Sequence, residues 1–325
     1  MNAVLYIGQR LAKGVVVVLV IVVVNFLLIR MAPGDPATVM AGEAGAADAV
    51  YVAQLREAFG LDRPILEQLG IYMSNIVRLD LGYSYRMQRP VLDMIVERLP
   101  ATLLLTITAY VFSLAAGITL GAIAAARAGR FSDTLITVFS LLFYATPIFW
   151  VGLMGILLFT VTLGWLPAFG MASVEAGQGG LARGLDIARH LIMPALTLGL
   201  FHMAVYSRLT RASMLEVFDL DYVRTARAKG LPRGRVVRMH VMRNAVLPVL
   251  TFAGLQAGQL IGGAIVVETV FAWPGIGRLA FDALMQRDYA TLLGAFVLTS
   301  AMGVAFNLLT DLAYLALNPQ ITLDG

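Results

Sequence analysis

Six long apolar stretches, five of them without a charged residue, set the strongest limit on what this chain of 325 residues can fold into. A transmembrane helix needs about 20 apolar residues to cross a hydrocarbon layer of roughly 30 Å. Pro147 lies in the middle of the third stretch, where it predicts a kink. The pattern predicts an all-α polytopic membrane protein with six transmembrane helices, at residues 11–29, 101–126, 134–163, 191–207, 245–267 and 290–310.

The composition excludes several classes of protein. Only 14% of the residues are charged, against about 25% in soluble domains, so a soluble globular protein is ruled out. The absence of cysteine excludes disulfides and thiolate metal ligands, and three scattered histidines predict no metal site. A phosphate-binding P-loop needs Lys followed by Ser or Thr, but Lys13 and Lys229 are each followed by glycine. The sequence therefore predicts no ATP-binding P-loop in this chain.

The placement of the basic residues predicts the topology. Thirteen of them fall in segments on the same side as the N-terminus, and four fall in the two short loops opposite. Cytoplasmic loops carry the excess of Lys and Arg, so both termini are predicted to be cytoplasmic. The first stretch is interpreted as a retained anchor rather than a signal peptide, because its long apolar run does not end in a small-residue cleavage site. The predicted parts are an N-terminal transmembrane helix (1–31), an extracytoplasmic segment with short helices (32–98), a five-helix core with a cytoplasmic loop at 208–244 (99–317) and a cytoplasmic tail (318–325).

The cytoplasmic loop at 208–244 has a pattern of its own. Asp221 stands at a predicted helix start, and the helix at about 222–229 ends at Gly230, with Pro232 close behind. A second helix is predicted from about Arg233. Ala226, Ala228 and Gly230 are interpreted as keeping this turn slim enough to enter a groove on a partner. The alternative is a basic loop that sets topology and lies on the lipid surface.

The string DYVRTARAKGL, followed by RNAVLPVLT, resembles the EAA-type loop of ABC importer permeases, in the form found in the peptide and nickel branch. Arg224, Thr225 and Ala226 occupy the first three motif positions, Gly230 the glycine, and Leu247–Pro248 the ending. Arg replaces the usual acid, so a salt bridge of that acid does not transfer to position 224. Further fragments resemble the same branch, among them RMAPGDPA, FYATPIFWVGL, HLIMPALTLGL, VVETVFAWPGIGRL and LAYLALNPQI.

The resemblance implies an inner-membrane permease subunit of a dipeptide/oligopeptide-type ABC importer, with the type I importer permease fold, in the bacterial inner membrane. Such a subunit is not an enzyme and holds no cofactor. Its implied partners are a second homologous permease, two cytoplasmic ABC ATPases that bind ATP and Mg, an extracytoplasmic solute-binding protein and membrane lipid, with no nucleic acid. Nickel complexes, glutathione and opines remain alternative substrates. The residues implied to couple to the ATPase are Asp221, Tyr222, Arg224, Thr225, Ala226, Lys229 and Gly230.

The fifth stretch holds the candidates for the solute pathway. Its glycines recur every four residues and predict one small-residue face for close helix approach. Two glutamines in this stretch serve either interhelical hydrogen bonds or the pathway. An acid at its outer end is a candidate for a direct role in transport, although it lies near the membrane interface. Trp273 is interpreted as an interfacial anchor, and His202 as a packed, neutral histidine. The candidates are Gly254, Gln256, Gly258, Gln259, Gly262 and Glu268.

A secondary transporter is the main rival from another class. It would need ion or proton sites near the middle of the membrane, commonly charged groups or broken helices. The second to fifth stretches carry no charge through their centres, and no inverted repeat is apparent in the sequence. The sequence therefore disfavours that class.

Overall fold

The computed structural model describes residues 3–31, 49–58, 60, 62–173 and 180–317. These residues are mostly helical, with two π-helical segments and one two-stranded hairpin. In chain order the elements are α1 (Ala3–Met31), α2 (Ala49–Ala58), α3 (Ile65–Val77), β1 (Tyr83–Ser84), β2 (Arg89–Pro90), α4 (Val91–Ala126), α5 (Phe131–Ala145), α6 (Ile148–Gly155), π1 (Ile156–Thr162), α7 (Gly180–Phe218), α8 (Asp221–Ala228), α9 (Arg233–Arg235), π2 (Val236–Val241), α10 (Met242–Ala257), α11 (Gln259–Val270), α12 (Ile276–Met285) and α13 (Tyr289–Leu317).

The described residues form two compact units. The first contains those up to Pro100 together with Gly275–Ala305, and the second contains Ala101–Pro274 with the helical residues after Ala305. In the first unit the hairpin pairs Ser84 with Arg89 in antiparallel register. The buried Ser84 hydroxyl donates to Asp288 Oδ2 at 2.5 Å, and Asp288 also accepts from the Thr291 hydroxyl at 2.6 Å. One carboxylate thus joins the hairpin to the start of α13.

The predicted segment 32–98 does contain short helices, namely α2 and α3, while residues 32–48 lie outside the described residues. The hairpin was not predicted from the sequence. The division of the chain into parts by membrane side stays a prediction.

Four described helices are long and apolar enough to span a membrane, and the number rises to six if each of two bent helix pairs counts as one span. The predicted spans 11–29, 101–126 and 290–310 fall within α1, α4 and α13. The fourth span was underestimated, because α7 starts at Gly180, inside the outer loop predicted at 164–189, and runs for 39 residues to Phe218. Residues 174–179 of that loop lie outside the described residues.

The third span breaks at Pro147 instead of kinking. α5 ends at Ala145, α6 starts at Ile148, and the α5 and α6–π1 axes differ by 106°. Thr146 is extended, with ψ 134°, because the ring of a following proline disfavours the helical region. Pro147 also lacks the N–H that would continue the helix. The third span therefore consists of two helical arms at roughly a right angle, where the sequence predicted a single kinked helix.

In the second unit α4 and α7 pack in close contact along two glycines. A Cβ added at Gly117 would lie 2.6 Å from Tyr206 Cβ, and one at Gly121 would lie 2.7 Å from Thr210 Cβ and closer still to the Ser207 carbonyl oxygen. Gly199 of α7 faces Phe112 and the Ala109 carbonyl in the same way. We call this contact the α4–α7 seam. Small residues at such positions let helix backbones approach closely.

Candidate functional site

Helix α8 follows directly after the long helix α7 and is delimited by local signals. Asp221 lies in its first turn, where a carboxylate opposes the positive end of the helix dipole. At its other end Gly230 has φ +80°, a left-handed conformation that glycine adopts without strain. The Gly230 N–H donates to the Arg227 carbonyl and the Leu231 N–H to the Ala226 carbonyl, at 2.9 and 3.4 Å. This pair of bonds is the Schellman motif, so the predicted helix and its glycine stop are confirmed.

The inward side of α8 rests on an apolar cluster. Val223 is fully buried and Ala226 is 5% exposed, and both pack with Val236, Val241 and Ala245 of the following segment. The expectation that Ala226 keeps the turn slim for a partner is therefore wrong in its geometry. Its methyl group faces the protein's own core, and its small size lets α8 lie close to π2. Ala226 positions the helix but presents no surface to a partner.

The other predicted coupling residues share the outward side of α8. Arg224 and Asp221 form an ion pair of 3.7 Å, and their side chains are 66% and 98% exposed. Because water screens this pair, it holds neither side chain firmly. The Thr225 hydroxyl donates to the Asp221 carbonyl at 2.9 Å. The exposed members of the predicted set are Asp221, Tyr222, Arg224, Thr225, Lys229 and Gly230. The structure thus brings six of the seven together on one accessible surface.

The side chains of Tyr222 and Arg233 tie α8 and the turn after it to neighbouring elements. The Tyr222 hydroxyl accepts from Asn244 Nδ2 at 2.6 Å and donates to the His240 carbonyl at 3.2 Å. The Arg233 guanidinium donates to the carbonyl of Ala126, the last residue of α4. A cation at this position also interacts favourably with the negative end of the α4 dipole. The contacts fasten α8 to the start of α10, and the turn after it to the end of α4.

The fifth span is also broken, and its glycines do not form one packing face. The helical stretch up to Ala257 and the stretch 262–270 differ in direction by 68°, with Gly258 at the break. Gly254 is buried, but Gly262 is exposed, and a Cβ added there would meet no atom within 4 Å. The prediction of a continuous small-residue face is therefore wrong, because the bend turns the two ends of the stretch apart.

Gln256 and Glu268, two polar candidates of the fifth span, occupy different environments. Gln256 is half-buried near the end of α10, and Gln259 begins α11. Glu268 is fully buried, and its Oε1 accepts from the Thr102 hydroxyl at 2.7 Å. This contact joins α11 to α4 inside the packed core. The contact with Thr102 links two helices, and a role of Glu268 in the solute pathway stays a prediction.

Trp273 corrects another expectation. It is fully buried, and its indole N–H donates to the Ala101 carbonyl at 2.9 Å, while its backbone N–H donates to the Glu268 carbonyl at 2.8 Å. It is a core residue beside Glu268 and not an interfacial anchor. His202 is 7% exposed and packs edge-on against Phe201, as predicted for a packed histidine.

Comparison with known families decides what kind of protein carries this arrangement. Residues 117–323 match the family described as binding-protein-dependent transport system inner membrane component. Residues 3–106 match the N-terminal component of the same kind of transport system. The chain belongs to this permease family. A permease of this family is a membrane subunit without an enzymatic activity of its own, and it is a multi-pass protein of the bacterial inner membrane.

Curated relatives match the permease over nearly its whole length. The dipeptide transport system permease DppB of Escherichia coli K12 is 40% identical over 333 residues, covering 97% of this chain and 98% of the relative. The di/tripeptide transport system permease DppB of Pseudomonas aeruginosa is 39% identical with the same coverage. A putative peptide transport system permease of Brucella abortus is 38% identical, again with the same coverage.

A solved structure confirms the fold of the permease. The chain resembles a chain in an inward-facing structure of the MetNI methionine ABC transporter, with a TM-score of 0.55 and 16% identity. The match covers 69% of this chain and 96% of that chain. It confirms the predicted type I importer permease fold.

Three residues that support the permease's candidate site were not predicted from the sequence. Asn244 and Thr102 supply partners for Tyr222 and Glu268, and both pairings join residues far apart in the chain. No local pattern marks such pairs. Gly121 did carry a signal, since it repeats Gly117 four residues later within a charge-free stretch.

Proposed function

We propose that this permease is one of two membrane subunits of an ATP-driven importer of short peptides, and that α8 is the segment that docks onto a cytoplasmic ATPase. The observation that carries the proposal is the construction of α8. It is a short helix that Val223 and Ala226 hold against the apolar cluster on its inner side. Gly230 caps it, and its polar side is exposed. A helix whose backbone is held in this way can receive a force and pass it on.

Two routes lead from α8 into the membrane helices. One runs from Tyr222 through Asn244 into α10, which belongs to the broken fifth span. The other runs through the apolar cluster, where Val223 packs with Met214 of α7. Displacement of α8 by an ATPase would therefore act on α7 and α10 together. Such two-state switching between accessible sides needs rigid elements that move as bodies.

The other partners follow from the family and its relatives. We infer a second, homologous permease subunit, two ATPases that bind ATP and Mg, and an extracytoplasmic solute-binding protein that delivers the substrate. We also infer that both termini and α8 face the cytoplasm, since the basic residues concentrate at 208–244. The relatives at 38–40% identity are named as dipeptide or peptide permeases, which supports peptides over nickel complexes, glutathione or opines.

Charge reversal on α8 tests the proposal. Arg224→Glu changes an exposed side chain that supports no buried contact, so the fold is expected to persist. We expect ATP-dependent uptake of a labelled dipeptide by vesicles containing the whole transporter to fall more than about tenfold, because reversing an exposed charge on the proposed docking surface would disturb its charge complementarity with the ATPase. Co-purification of the ATPase should fall in parallel.

Arg238→Glu is the matched control, because it makes the same charge change at an exposed residue of π2. Equal uptake by the two variants would contradict the docking role of α8. A whole transporter that fails to import dipeptides, or that imports a nickel complex instead, would contradict the peptide assignment. Because the chain has no cysteine, the single thiol of Thr225→Cys can report sidedness. An impermeant reagent should label it from the cytoplasmic side alone.

A further inference from the structure

A cavity of about 240 Å³, lined by both apolar and polar side chains, lies between α4, α5 and α7, in the same unit as α8. We call it the Ser140 pocket. It stands apart from the α8 surface and from Glu268, and nothing in the coupling scheme uses it. Its lining residues are Ala124, Ile136, Thr137, Ser140, Ser207, Arg208 and Arg211.

A buried hydroxyl faces this cavity without a partner. Ser140 is 1% exposed, and among the described residues its Oγ has no hydrogen-bond partner. Leaving a buried polar group unpaired is costly, so a ligand oxygen that reaches this hydroxyl would gain a hydrogen bond that the protein itself does not supply. Ser207 and Thr137 bring two further hydroxyl groups to the same wall.

Two arginines give the pocket its charge. Arg211 forms a twofold salt bridge to Asp133, with Nε–Oδ1 at 2.7 Å and Nη2–Oδ2 at 2.8 Å. The Gly129 N–H also donates to Asp133, so that carboxylate is well satisfied. A guanidinium has five N–H donors, and Arg211 uses only two of them on Asp133.

Arg208 supplies the second cation. Its guanidinium lies 4.6 Å from the centre of the Tyr144 ring, and no carboxylate pairs with it in the part of the chain that the structure describes. Arg208, Arg211 and Asp133 together have a formal charge of +1, which matches one phosphodiester group. Arginine side chains and hydroxyls are the usual ligands of phosphate oxygens.

The surroundings of the pocket indicate where the phosphate comes from. The outer face of α5 next to it is strongly apolar, with Leu135, Val138 and Leu142 each more than half exposed. The pocket lies within about three helical turns of the end of α7, at the same end of the unit as α8. Basic pockets between helices at the membrane surface bind lipid headgroups.

We propose that the Ser140 pocket binds the phosphate of an anionic phospholipid, with the acyl chains lying along α5. The phosphate would accept from Arg208, from the remaining donors of Arg211 and from the Ser140 hydroxyl. The proposal goes beyond peptide transport and does not depend on the substrate. It depends on the proposed topology only for the leaflet concerned.

Lipid retention by the assembled transporter tests this. The transporter is equilibrated in micelles that contain phosphatidylglycerol and phosphatidylcholine, purified, and its bound lipids are quantified by mass spectrometry. We expect Arg208→Gln to lower retained phosphatidylglycerol about fivefold, the effect of about one lost cationic contact. Arg238→Gln removes the same charge from an exposed site outside the pocket and should leave retention unchanged.

Ser140→Ala separates binding from folding. In phosphatidylcholine alone its thermal stability should equal or exceed that of the parent, because the hydroxyl there lacks a protein partner. With phosphatidylglycerol its retention should fall about threefold. Equal retention by Arg208→Gln and Arg238→Gln, or no retention above the lipid ratio of the micelles, would overturn the proposal.

A measurement with inorganic phosphate tests whether the bound phosphate belongs to a lipid or to a free anion. Inorganic phosphate at millimolar concentration is added to the transporter in phosphatidylcholine and in mixed micelles. If the pocket takes a lipid, phosphate neither raises the stability of the parent nor releases phosphatidylglycerol. If phosphate does both, and Arg208→Gln abolishes both effects, the anion site stands but its lipid occupant is overturned.

Discussion

The α4–α7 seam and the fifth span both carry glycines four residues apart, but they use them for opposite purposes. At the seam the glycines remove side chains from a contact between two continuous helices, so the backbones meet. In the fifth span Gly258 lies at a 68° bend, and Gly262 faces open space. The same spacing thus supports packing in a continuous helix and a change of direction in a broken one. A rigid pair and a bent element stand side by side in one unit.

Gly121→Ala should give the largest loss of stability, because the added methyl group meets the backbone of α7. The Ser207 carbonyl and Thr210 cannot withdraw without moving α7. We expect the free energy of unfolding in mixed micelles to fall by about 3 kcal/mol, the upper part of the range for overpacking. Unfolding monitored by circular dichroism checks this. A loss below about 1 kcal/mol would contradict the contrast between the seam and the fifth span, because α4 and α7 would then be able to shift and accept the methyl group.

Gly199→Ala should have an intermediate effect. The added Cβ would lie 2.6 Å from Phe112 Cδ1 and 3.1 Å from the Ala109 carbonyl oxygen. The ring of Phe112 can rotate away, and the Ala109 carbonyl needs to shift by only a few tenths of an ångström. We expect a loss of about 1–2 kcal/mol in the same unfolding assay. A larger loss than that of Gly121→Ala would show that side chains, and not backbones, limit the seam.

Gly262→Ala should give the smallest effect and the opposite sign. No atom lies within 4 Å of the added Cβ, and alanine favours a helix interior over glycine by up to about 1 kcal/mol. We expect unchanged or slightly raised stability in the same assay. Clear destabilisation would instead indicate that a partner subunit packs against this position, which would restore the predicted packing face between chains.

Local chemistry explains which parts of the fold could be predicted from the sequence. Helix α8 was placed within one residue at each end, because Asp221 and Gly230 act through their own dipole and backbone preferences. The spans were found from their apolar length alone. Where the site depends on distant residues, as for Glu268 with Thr102, nothing in the order of the residues shows the pairing.

The wrong expectations share a physical cause. Trp273 and Ala226 were interpreted by residue type, as an interfacial ring and a slim contact surface, but packing buries both. The size of the bend at Pro147 depends on what the two arms pack against, since proline only removes a hydrogen bond and a conformational option. Sequence can mark where a helix is weak, but neighbouring helices determine its final direction.

The length of α7 has a mechanical consequence. At 1.5 Å per residue its 39 residues extend about 58 Å, nearly twice the hydrocarbon thickness of roughly 30 Å. The seam near Ser207 lies close to the end that precedes α8, which leaves about 40 Å of helix on the other side. A rotation of about 5° around that point would move the far end by about 3.5 Å, but the α8 end by only about 1.5 Å. Moving as one body, with Pro194 on its longer arm, α7 would act as a lever with unequal arms, and small strokes at α8 would become larger ones near Gly180.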